Sequence, residues 1–159
     1  MLTISQLVAT RGDLQILKGV DLHFTQNKNY VLLGPNGSGK STLAKSLAGC
    51  SSVRVVAKDA KFFEKNLLEL SDTERSLSGL FLAHQSPPEI TGLNIFSFLH
   101  LIFVKHSKFA VSVREFDKIL NANLAKVGLP QEIKLRNLNE NFSGGEKKKM
   151  EVLQVLLLK

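Results

Sequence analysis

The chain of 159 residues contains one cysteine, no tryptophan, one tyrosine and four prolines. A single thiol, Cys50, excludes an internal disulfide and a cysteine-built zinc cage. No apolar run reaches the length of a membrane-spanning helix. The richest stretch, Leu93 to Val104, is interrupted by Asn94, Ser97 and His100. The first ten residues carry no basic segment ahead of an apolar block, so no secretory signal is read. A cytoplasmic setting is the expectation. Low complexity and internal repeats are absent too. What remains is ordinary globular composition, 43% hydrophobic and 22% charged, in a chain long enough to bury a core.

Acidic residues are in short supply: 14 against 21 lysines and arginines, a net charge of +7. Residues 1–104 hold 10 basic and 8 acidic side chains, and residues 105–159 hold 11 and 6. The basic residues are scattered except for Lys147-Lys148-Lys149, and no aromatic residue sits near that triplet to stack on bases. The pattern therefore favours a solvated helix face over a nucleic-acid surface.

Alternation predicts a half-buried strand over Leu2–Val8, and two short strands over Leu14–Lys18 and Asp21–Phe24, separated by Gly19. Tyr30–Leu33 and Leu80–Ala83 are wholly apolar and of strand length, as central parallel strands are. Val53–Ala57 and Lys61–Phe63 are also strand-like. A helix is expected from Ser41 to a stop at Gly49. Ser71 and Ser112 stand three residues before Glu74 and Glu115, the spacing of a capping box. The second box opens a helix with Phe116, Ile119, Leu120, Leu124 and Val127 on one face, ended by Gly128. Leu93–His106 reads as helix, Arg136–Asn141 as a polar loop, and Glu146 onward as a final helix.

Gly34-Pro35-Asn36-Gly37-Ser38-Gly39-Lys40-Ser41, followed by Thr42, fits the pattern G-x-x-x-x-G-K-[ST]. Glycines let the backbone curl so that N–H groups converge on phosphate oxygens. The following helix adds its positive end, Lys40 a compact charge, and Ser41 a hydroxyl for Mg²⁺. The loop implies nucleotide phosphate binding without separating ATPases, GTPases and small-molecule kinases. Ser143-Gly144-Gly145 at the head of the last helix is a second phosphate-shaped element. A plain N-cap serine with flexible glycines reads equally well there.

The order of these elements carries a resemblance. Gly34–Ser41 resembles the Walker A motif of ABC-type ATPases, Gln85 their Q-loop, and Phe142–Glu146 their signature motif. Phe81–Gly92 and Phe142–Lys148 are similar to the SufC family, the ATPases of the SUF iron–sulfur cluster assembly machinery. The resemblance implies an α/β P-loop NTPase fold, an ABC ATPase nucleotide-binding domain. Its parts would be an N-terminal antiparallel β subdomain with the Walker A core (1–85), a Q-loop and helical subdomain (86–142) and a signature helix (143–159). It implies ATP and Mg²⁺ as cofactors, with Ser41 and Gln85 as the metal's protein ligands and Gln85 orienting the attacking water. It also implies a head-to-tail dimer in which Ser143, Gly144 and Gly145 face ATP held by the partner's Walker A. A SufB- or SufD-like scaffold would dock near residues 86–92.

The family's Asp-Glu pair, D-loop and switch histidine are not found. Sixteen residues follow Ser143, and all read as helix. The expectation is an incomplete domain with open strand edges, poorly soluble by itself. His84, His100 and His106 precede the signature and read as surface or satisfied structural residues. Residues 5–16 contain no aromatic side chain to stack on adenine. Three other readings stay open: an ATP-binding protein of an ABC transporter, a short non-hydrolysing nucleotide- or scaffold-binding protein, and a nucleic-acid binder.

Overall fold

The computed structural model describes residues 1–107 and 110–158. The chain divides into two compact units, Met1–Leu82 and Ala83–Lys159.

The first unit is a five-stranded antiparallel sheet with two short helices. Strand β1 (Leu2–Arg11) lies at its centre, with β2 (Leu14–Phe24) along one side. On the other side β4 (Asp59–Phe62) pairs with the first half of β1 and β3 (Arg54–Val56) with the second. The two-residue β5 (Lys65–Asn66) closes that edge. Leu2, Ile4, Leu7 and Ala9 are all buried, although the step from Ile4 to Leu7 breaks the period of two. An extra residue explains it. Ile4 pairs with Leu22 and Leu7 with Val20, so three steps on β1 face two on β2. Gln6, at φ 53°, is the bulged residue. Its backbone N–H and side-chain amide donate to the two Asp21 carboxylate oxygens at 2.8 and 2.9 Å. Gly19 (φ 87°) sits beside it, where a Cβ would stand 3.0 Å from Gln6 Oε1. The two strands expected on either side of Gly19 are thus one bent strand.

Helix α1 (Lys40–Ala48) follows the phosphate-loop segment and buries Leu43 and Ser46. Gly49 (φ 82°) ends it, with N–H bonds from Gly49 to Ser46 and from Cys50 to Lys45. Helix α2 (Asp72–Leu77) begins at the Ser71–Glu74 capping box. The unit's core joins Leu2, Ile4, Leu7, Ala9 and Leu17 of the sheet to Leu43 of α1.

Tyr30–Leu33 and Leu80–Ala83 do not form strands. Val31 and Leu33 are 80% and 84% exposed. A strand apolar on both faces exists only between neighbouring strands that complete its ladder, and none stands beside either run among the described residues. Tyr30, Leu80, Phe81 and Leu82 instead line an open apolar cavity of about 650 Å³ together with Phe24 and Phe62.

The second unit is helical. A two-stranded ribbon, β6 (Ile90–Asn94) with β7 (Asn137–Leu138), brackets helices α3 (Ile95–His106) and α4 (Val113–Val127) and the 3₁₀ turn Gln131–Leu135. Leu93, expected in the helix, belongs to the strand, because Asn94 caps α3 by accepting the Ser97 N–H. The Arg136–Asn141 loop is not simply polar and solvated: it contains β7 and buries Leu138 and Asn139. Helix α5 (Gly144–Leu157) packs Met150, Leu153 and Leu157 against Leu99, Phe116, Leu120 and Leu124. Helix α4 starts at the Ser112–Glu115 box and stops at Gly128 (φ 65°). His100 corrects the expectation of satisfied histidines. It lies among Phe96 and Phe116 with its Nε2 buried and unpartnered. No described helix is long and apolar enough to cross a membrane.

Candidate phosphate loop and signature helix

The phosphate loop is built by what precedes and follows it in the first unit. Gly39 N-caps α1 at φ 93°, and a Cβ there would stand 2.7 Å from Leu17 Cδ2. Only glycine allows both the left-handed turn and the approach of β2. Among the described residues no side chain caps α1, and no acid occupies its first turn. The helix therefore presents its N–H groups and partial positive charge with nothing of the protein's own to neutralise them. Gly37 (φ 81°) turns the loop, and its Cβ direction is open space. Pro35, Asn36 and Ser38 are exposed, and the Ser38 N–H bonds the Pro35 carbonyl at 3.3 Å. Lys40 curls over the loop, its Nζ donating to the Gly34 and Pro35 carbonyls at 2.8 Å each. Ser41 is exposed; Thr42 is half-buried and takes the Ser46 hydroxyl on its carbonyl at 2.8 Å. This donor set fits a polyphosphate. No carboxylate repels it, a cation overhangs it, and the Ser41 hydroxyl is open to a phosphate-bound Mg²⁺. Among the described residues no cluster of histidine, cysteine or acidic side chains forms an all-protein metal site.

Arg75 was not marked by any motif, yet it holds the far end of this helix. Its side chain is 7% exposed. Nη1 donates to the Ser46 and Leu47 carbonyls at 2.9 Å each and Nε to the Leu70 carbonyl at 3.0 Å. A guanidinium thus satisfies carbonyls that a helix C-terminus leaves open.

The other sequence candidates lie in the second unit. Gln85 is exposed in an irregular segment, and Ser86, Pro88 and Glu89 are exposed around a buried Pro87. Ser143 N-caps α5 in a complete capping box: its N–H and hydroxyl both donate to Glu146 Oε2 at 2.8 Å, and the Glu146 N–H returns to Ser143 Oγ at 3.3 Å. These bonds, backbone first, hold the Glu146 carboxyl below its ordinary pKa. Gly144 and Gly145 are exposed, and a Cβ on either would meet nothing within 4 Å. This chain's own packing does not require glycine there. Phe142 is buried under the Arg136 guanidinium, 4.5 Å from the ring centroid. Lys148 and Lys149 of the lysine triplet are exposed, as expected of a solvated face, and each of the three ammonium groups also has a partner. Lys147 pairs with Glu89 at 2.8 Å, Lys148 with Glu151 at 2.8 Å, and Lys149 donates to the Gly128 carbonyl at 2.9 Å. Glu151, Asn139 and Arg75 are the residues that sequence reasoning passed over, since their partners lie far along the chain.

Residues 17–159 match the family model described as ABC transporter. The chain belongs to the ABC transporter family. It is 40% identical to the "Probable ATP-dependent transporter ycf16" of Pyropia yezoensis, over 99% of this chain and 64% of that protein. It is 38% identical to the "Iron-sulfur cluster assembly protein SufC" of Plasmodium falciparum, over 96% and 45%. A probable ABC transporter ATP-binding protein of Streptococcus pyogenes is 38% identical, over 99% and 62%. The chain thus spans less than two thirds of the length of these relatives. Among solved structures, the ATP-binding cassette MJ0796, a post-hydrolysis dimer bound to ADP and Pi, superimposes with a TM-score of 0.80 at 19% identity, over 99% of this chain and 70% of that one. The fold is that of the ABC nucleotide-binding domain, of which the chain covers part.

Proposed function

We propose that the chain is the ATP-binding part of a SufC-type ATPase acting in iron–sulfur cluster assembly in the cytoplasm. The observation that carries the ATP-binding part is the uncapped, acid-free N-terminus of α1 beneath Lys40. Gly34–Gly39 supplies the curled backbone, Lys40 meets the β- and γ-phosphates, and Ser41 and Gln85 hold Mg²⁺. Mg²⁺ neutralises charge on the phosphates. Ser143, Gly144 and Gly145 serve a second copy, facing the ATP of its phosphate loop in a head-to-tail dimer, and hydrolysis belongs to that assembly. Open space over both signature glycines supports such a close approach. A SufB- or SufD-like scaffold docks near residues 86–92.

Titration calorimetry with MgATP tests the site. Lys40→Ala abolishes binding to the monomer, whereas Ser143→Ala leaves it within about twofold, because that serine serves the opposite protomer. Equal loss in both overturns the assignment. A second reading, the ATP-binding protein of a transporter, is favoured by the names of the algal and streptococcal relatives. Co-purification with a SUF scaffold or with a membrane permease separates the two.

A further inference from the structure

Helix α5 reaches back to the segment that carries Gln85. Glu151 is a carboxylate only 6% exposed, on a helix whose apolar contacts come from Met150, Leu153 and Leu157. Burying a charge is costly unless it is paired. Its partners are specific: Oε1 accepts the His84 backbone N–H at 2.6 Å, and Oε2 accepts Lys148 Nζ at 2.8 Å. Lys148, one helical turn earlier, also donates to the His84 carbonyl. Both backbone polar groups of the residue before Gln85 are therefore held by side chains of one turn of α5. Beyond Gln85 the same segment is tied twice more. Asn139, 4% exposed, donates from Nδ2 to the Pro88 carbonyl at 2.8 Å, and Lys147 pairs with Glu89 at 2.8 Å. The backbone is irregular here, with no ladder or helix to fix it, so side-chain anchors do that work. They stand on both sides of Gln85 and leave its amide exposed.

We propose that Lys148 and Glu151 are positioning residues for Gln85, clamping His84 so that the Gln85 amide is held in one place relative to the signature helix. The proposal rests on the reading of Gln85 as a magnesium ligand. Any displacement of the 84–89 segment is then felt by α5 directly, because the clamp's two side chains leave one turn of that helix.

The test is amide hydrogen exchange followed by NMR on the full chain, with Glu151→Leu and Lys148→Met as the variants and Lys148→Arg as the conservative control. The expected result is exchange at the His84 amide, whose N–H is the one the clamp holds, faster by about tenfold or more in both variants, with the α5 amides of Met150 and Leu153 changed less than about twofold. Lys148→Arg restores protection. In parallel, the ratio of ATP affinities with and without Mg²⁺ falls in both variants to that of Gln85→Ala, while the metal-free affinity stays put. Unchanged exchange at His84, acceleration spread evenly along α5, or an unaltered Mg²⁺ ratio beside a loosened His84 overturns the proposal. If the unsubstituted protein shows no Mg²⁺ dependence, the reading of Gln85 fails instead, and the exchange data still decide whether the clamp exists.

Discussion

The Arg75 guanidinium donates to the Ser46 carbonyl across 2.9 Å, joining α2 to the end of the helix that the phosphate loop begins. A charged donor serving buried carbonyls leaves them unsatisfied when it is removed. Arg75→Met is expected to destabilise the protein by about 2–3 kcal/mol in urea denaturation, since bonds to charged groups and the desolvation of abandoned carbonyls are each of that order. Arg75→Lys recovers only part of it, because an ammonium cannot reproduce the guanidinium fork.

Gly39 faces a different constraint. Gly39→Ala places a methyl 2.7 Å from Leu17 Cδ2 at a φ of 93°. Alanine is strained at that φ and the buried Leu17 side chain must shift, at a cost of about 1–3 kcal/mol. Thermal melts should show that loss, and calorimetry a fall in MgATP affinity of at least about tenfold, where 1.4 kcal/mol corresponds to a decade. Ser38→Ala is the matched control, with an exposed side chain in the same loop.

What was legible in the sequence was local. The boxes at Ser71 and Ser112 need only a partner three residues on, and both form; the N-cap reading of Ser143 holds too, and Glu146 closes it into a third box. The stops at Gly49 and Gly128 need only a left-handed glycine. The phosphate loop stands out because glycine spacing, a lysine and a helix start are contiguous. The failures needed distant chain. Gly19 looked like a break because the bulge depends on Gln6 and Asp21, fifteen residues apart. Tyr30–Leu33 has strand composition, but a strand is a relation between neighbours, and composition does not supply the neighbour. Glu151 was invisible because its partner His84 is 67 residues away.

The exposed apolar runs predict a surface property. Val31 and Leu33 stand 80% and 84% exposed beside an open apolar cavity. A patch of this kind binds hydrophobic dyes and associates. The chain is expected to enhance ANS fluorescence at neutral pH while keeping a cooperative melt, and Val31→Thr with Leu33→Thr should lower the enhancement by about half or more. A protein silent to ANS would show that these side chains are covered in solution.

Acid should weaken the fold in a defined window. The carboxyls of Glu74 and Glu115 are held below the ordinary glutamate value of 4.5 by the hydroxyl and then the N–H of Ser71 and Ser112, and that of Glu146 by the N–H and then the hydroxyl of Ser143. Glu89 is lowered chiefly by its bond to Lys147. In each case the folded value lies below the unfolded one, so near that pH the unfolded chain binds more protons. The stability these groups contribute is present above 4.5 and lost as pH falls through their lowered values. Thermal midpoints should therefore stay flat from pH 7 to about 5 and decline below it. Glu146→Gln keeps an acceptor in the capping box but cannot titrate. Its midpoint should fall less steeply with acid than that of the unsubstituted protein. An identical slope would mean that the Ser143–Glu146 box contributes nothing to the acid response, and the remaining dependence would belong to the boxes at Ser71 and Ser112 and to the Lys147–Glu89 pair.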